Sequence, residues 1–139
     1  MPAYSFQKQF VPFIESGEKT HTIRGKRKNR PKPGQTFYGY YAMRTKQCRK
    51  LLQGTITRVQ DIRIVETERN FRDLPDFGRE GRYLFGAYPA ITIDDVVLSD
   101  DEMDALAKRD GFCDLWEMML FWEGRLPFEG DIIHWKRVD

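Results

Sequence analysis

Stretches of β-prone sequence recur over the whole length of this chain, with helical patterns between them, and that alternation restricts the fold to an α+β arrangement built on a sheet. Residues 20–24 (Thr20-His21-Thr22-Ile23-Arg24) are rich in β-branched side chains, residues 36–42 are aromatic, and residues 54–65 alternate Ile56, Ile62 and Ile64 with polar neighbours. Residues 90–98 and 131–138 read as two further strands. Between these runs, Phe10, Phe13 and Ile14 fall on one helical face, with Pro12 in the first turn and Gly17 placed as a C-terminal cap. Ser99-Asp100-Asp101-Glu102 has the form of a capping box, and Asp110-Gly111-Phe112 interrupts the helix that it starts. A second helix over residues 114–122 carries Leu115, Met118, Met119 and Trp122 on one side, a stripe suited to a core. Residues 25–34 form a basic, Pro-containing loop. No repeat, Gly/Ser linker or low-complexity tract marks a boundary, so residues 1–139 are expected to form a single domain on a mostly antiparallel, barrel-like sheet.

The charge is unevenly spread. Residues 19–60 contain twelve Lys or Arg and no Asp or Glu, although the chain has a net charge of only +2, so the remainder is net acidic. A long acid-free stretch is the pattern of a face that meets a polyanion, and Phe37, Tyr38, Tyr40 and Tyr41 lie within it as rings able to stack on unpaired bases. The competing reading makes the same cations a solvated surface paired with the acidic second half.

Other chemistries find little support. His21 and His134 are the only histidines and Cys48 and Cys113 the only thiols, none of them at zinc-ligand spacing, so no metal site and no cofactor are expected. The acids at Asp94-Asp95 and Asp100-Asp101-Glu102 leave a carboxylate site open, but capping accounts for the second group. There is no Gly-rich phosphate loop or nucleophile elbow, His134 reads as a strand residue, and each Cys reads as a small apolar side chain, reduced. Residues 1–8 lack an apolar targeting core and no apolar run is long enough to span a bilayer, so the expected location is the cytoplasm.

What remains is Gly17-Glu18-Lys19-Thr20-His21-Thr22-Ile23-Arg24. Together with Phe10, Phe13-Ile14, Pro33-Gly34 and Asp110-Gly111-Phe112, this stretch resembles the ASCH domain of the PUA-like superfamily, over nearly the whole chain from about Phe6. The resemblance implies a PUA-like barrel with flanking helices and a cleft for single-stranded RNA or a modified nucleoside. Some ASCH proteins are small amidohydrolases that remove the acyl group of N4-acetylcytidine with a Lys, a Thr and a Glu; here Lys19 and Thr22 match the first two. Asp110 takes the third position, one methylene shorter. Other members are associated with RNA cleavage or with binding alone, which leaves a metal-dependent ribonuclease and a non-catalytic reader as alternatives.

In the amidohydrolase reading Thr22 attacks the amide carbonyl, a desolvated Lys19 accepts its proton, and the carboxylate orients the ammonium or the substrate. Strict strand alternation sets Thr20, Thr22 and Arg24 on one face and Lys19, His21 and Ile23 on the other, so the chain must bend if Lys19 and Thr22 are to meet one substrate. Thr20, Arg24, Tyr40, Arg44, Lys46 and Arg49 are the expected substrate contacts, with the arginines able to grip phosphate through paired N–H donors. Tyr38 and Tyr40 share a strand parity and therefore a common environment.

Overall fold

The structure, a computed structural model, describes residues 2–73 and 86–138. Among these, seven strands and three α-helices give an α+β fold whose sheet is mostly antiparallel, in keeping with the expected class. In chain order they are β1 (Ala3–Phe6), α1 (Val11–Ser16), β2 (His21–Gly25), β3 (Thr36–Tyr41), β4 (Arg49–Asn70), β5 (Ala87–Ile93), β6 (Val96–Val97), α2 (Asp100–Arg109), α3 (Leu115–Phe121) and β7 (Phe128–Arg137). No described helix is long and apolar enough to cross a membrane.

The chain divides into two compact units. The first comprises residues up to Gln60, Arg109–Gly111 and the residues from Gly130 onward. Its strands are ordered β1-β3-β4-β7-β2, with β1 parallel to β3 and β2 antiparallel to β7. Its interior is aromatic: Phe37 stacks on Trp135 at 4.5 Å between centroids and on Tyr4 at 5.3 Å, while the Phe6 ring meets Trp135 edge-on.

The expected barrel is not closed. Among the described residues no backbone ladder joins β1 to β2, and side chains bridge them instead. Pro2 O accepts from Tyr38 N, so by alternation the carbonyls of Ala3 and Ser5 face the other edge of β1. There Arg27 Nη2 donates to Ala3 O at 3.0 Å and Arg24 Nη2 to Ser5 O at 2.8 Å. Two guanidinium groups thus satisfy the carbonyls that a ladder would have used.

Close approach governs the crossing of β4 and β7. A Cβ on Gly54 would stand 2.7 Å from Lys136 O, a backbone atom that cannot swing aside. Gly54→Ala is therefore expected to cost about 1–3 kcal/mol, the usual penalty of overpacking, and urea unfolding of the variant measures it.

The second unit holds the described residues of Asp61–Lys108 and Phe112–Glu129. Here the later part of β4 pairs with β5, and β5 with β6. The capping box forms as expected: Ser99 N donates to Glu102 Oε1 and Glu102 N to Ser99 Oγ. Leu115, Met118, Met119 and Trp122 are all buried, so the stripe on α3 is core. Cys48 and Cys113 are exposed, which corrects their reading as small apolar residues.

Candidate functional site

The site grows from the end of α1. Pro12 occupies the first turn, where its missing N–H leaves no bond unmade, and Gly17 ends the helix at φ 84°, a left-handed conformation that glycine adopts without a Cβ clash. Gly17 N then bonds Ile14 O, and Lys19 N bonds Phe13 O at 2.9 Å. These bonds turn the chain back on itself, and Lys19 enters the protein just before β2 begins.

Lys19 is only 3% exposed. Its ammonium donates to the carbonyl of Asp110 at 2.8 Å and to Asp110 Oδ1 at 2.5 Å, and it lies over the Phe10 ring, 5.0 Å from the centroid. Asp110 follows the last residue of α2, and Gly111 at φ 103° makes the turn that presents it. A side chain at residue 111 would reach to 3.1 Å from the Phe10 ring, so glycine there serves both the turn and the packing. The shorter carboxylate therefore reaches Lys19 without help.

His21 completes this cluster. It is buried, and its Nε2 stands 3.1 Å from Asp110 Oδ1, at hydrogen-bond distance but without hydrogen-bond alignment. Its register partner across β2 and β7 is His134; the rings are 5.6 Å apart and His134 Nε2 bonds Gln60 Oε1 at 2.8 Å. Burial pulls the Lys19 pKa down, against the attraction and hydrogen bond of Asp110, and nearby Arg24 lowers it further. Burial pushes Asp110 the other way, but the charge and hydrogen bond of Lys19, with His21 close by, outweigh it and hold this carboxyl below the usual range.

Thr22 takes the opposite parity, as alternation expects, and its Oγ1 accepts from Arg24 Nε at 3.0 Å. Arg24 is thus engaged twice, at Thr22 and at Ser5 O, with its guanidinium over the Phe6 and Tyr4 rings. The structure accordingly brings Lys19 and Asp110 together with His21, and brings Thr22 together with Arg24.

The remaining sequence-predicted residues lie apart from the Lys19 cluster. Thr20 is exposed, as are Arg44 and Lys46 after β3. Arg49 forms an exposed pair with Glu15 at 3.1 Å. Tyr40 is half-buried beside Tyr38, and the two do share one environment. Within the loop after β2, Lys26 and Arg30 both reach Oδ1 of Asp131, itself 1% exposed. Sequence reasoning did not assign His21 a role, though its shared parity with Lys19 was the available signal. Among the described residues no group of three or more His, Cys, Asp or Glu is arranged to hold a metal ion.

A scan of the chain against protein-family models gave no match, and neither the curated proteins nor the solved structures gave one.

Proposed function

We propose that this chain is an ASCH-type, PUA-like domain that binds a modified nucleoside or single-stranded RNA and hydrolyses an N4-acyl group from a cytidine-type substrate. The observation that carries the reading is the buried Lys19–Asp110 pair within the motif stretch that begins at Gly17. Lysines rarely enter a protein interior, and one whose pKa is lowered by burial can exist as a neutral amine and take a proton. In the reaction Thr22 Oγ1 attacks the acyl carbonyl and Lys19 accepts the hydroxyl proton. The cytidine amine leaves with that proton, and water then releases the acyl group as a carboxylate. Because Thr22 Oγ1 accepts from Arg24, its own proton is not spent on that contact.

One observation favours a second reading, a non-catalytic reader. Alternation sends Thr22 and His21 to opposite faces, and Thr22 bonds Arg24 while Lys19 and His21 gather at Asp110. Incubation with N4-acetylcytidine and, in parallel, with labelled single-stranded RNA, with and without added divalent metal, separates the outcomes. Deacylated nucleoside supports the amidohydrolase, shortened RNA a ribonuclease, and binding without either product a reader.

A further inference from the structure

The strand that closes over the aromatic interior has a second face. Phe37 and Gly39 point inward on β3, whereas Tyr38 and Tyr40 take the opposite side and remain half-buried. Their register partners on β1 are Ala3 and Ser5, side chains too small to cover a tyrosine ring. On β4 the partners are Gln53 and Lys50, both polar. Part of each ring remains open to solvent.

Their geometry is that of a platform. The ring centroids are 6.5 Å apart with 30° between planes, close to the spacing that two strand residues on one face impose. Lys50 Nζ, bonded to Gln53 Oε1 at 3.0 Å, lies 5.8 Å from the Tyr38 centroid. Arg44 and Lys46 are exposed on the turn that follows β3, and residues 19–60 contain no acid. Two adjacent rings, with Lys50 over Tyr38 and the basic turn following Tyr40, match a base-stacking strand of nucleic acid, each base on a ring and each phosphate beside a cation.

We propose that this outer face of β3 is a contact for single-stranded nucleic acid in which consecutive bases stack on Tyr38 and Tyr40 while Lys50, Arg44 and Lys46 meet the phosphates. The proposal rests on the nucleic-acid part of the function given above and not on its hydrolytic part. A duplex cannot use the surface, since its bases are stacked on one another and turned away.

Fluorescence anisotropy with a short, unmodified single-stranded RNA tests it, because that probe carries no acyl group and reports binding whether or not the protein turns over substrate. The intact protein should bind the single strand well and the duplex of the same sequence poorly. Tyr38→Leu and Tyr40→Leu keep apolar bulk but remove the ring, and each should weaken binding roughly 5- to 100-fold, the range set by loss of one stacked base. Tyr38→Phe and Tyr40→Phe keep the ring and should bind like the parent. Photocrosslinking of a 5-bromouridine strand to the parent protein, read by mass spectrometry, should mark Tyr38 or Tyr40 without any substitution. Equal affinity in the Leu variants with native circular dichroism would overturn the proposal, and so would crosslinks found only elsewhere or equal affinity for duplex. Binding through these rings without deacylation of N4-acetylcytidine leaves the platform in place and removes the hydrolytic reading alone.

Discussion

Replacing Asp110 with Asn is expected to lower N4-acetylcytidine turnover by about 100-fold or more and to destabilise the protein on the order of 3 kcal/mol. Asp110 is 5% exposed as a residue, and its carboxylate faces Lys19 and His21. Asn keeps its shape but removes the charge that balances a buried ammonium, and an unpaired buried charge is among the most costly changes a core can suffer. The loss depends on pH in a fixed sense. Because the folded-state pKa of Asp110 is lowered, its contribution is fully present above the ordinary carboxylate value and disappears as pH falls through the folded value. The gap in unfolding free energy between parent and variant should therefore be widest near neutrality and close under acid. A surface turn residue would behave differently: Asn would serve almost as well as Asp, and the gap would be small at every pH.

Asp110→Glu tests reach in place of charge. From the letters, a longer acid restores the reach that the family pattern has. In the fold, the buried Asp110 already contacts Lys19 through both its carboxylate and its carbonyl. An added methylene there is expected to strain the packing by about 1–3 kcal/mol.

Much of the local structure was legible because single residues dictate it. Gly17 supplies the left-handed cap, Ser99 and Glu102 form the box, and the Met and Trp stripe on α3 is buried. Alternation within residues 19–24 puts Thr22 and Arg24 on one face and His21 with Lys19 on the other, and in the fold the first two are bonded while the second two both face Asp110. What escaped was set by distant partners. β1 has four residues and becomes a strand through a parallel ladder to β3, far along the chain, so no local period announces it. β4 begins at Arg49, in a run that reads as a basic cluster, because its charged residues there stay on the solvent side while Leu51 and Leu52 enter the core. Closure of the sheet was beyond local reasoning too, since two arginine side chains replace the missing ladder between β1 and β2.

Lys19→Arg should reduce turnover by roughly 100- to 10,000-fold, the range expected when a general base is lost. Arginine keeps a positive charge for Asp110, yet its guanidinium does not release a proton near neutral pH. A lysine that merely held a phosphate or an acid would tolerate the exchange. In the parent, turnover should rise with pH as Lys19 loses its proton, with a midpoint below that of an ordinary lysine, because burial outweighs the attraction of Asp110. In Asp110→Asn the same limb should move to lower pH, since the anion that favours the ammonium is gone.

Direct titration of Lys19 reaches the centre of this account without relying on any substrate. With lysine labelled at Cε and the Lys19 signal assigned by its absence in Lys19→Arg, the chemical shift can be followed across the alkaline range by NMR. The buried, acid-paired amine described above predicts that Lys19 titrates at lower pH than the exposed lysines, and that Asp110→Asn lowers its midpoint again. A Lys19 signal that titrates together with the surface lysines, and that ignores the loss of Asp110, would contradict its role as the proton acceptor.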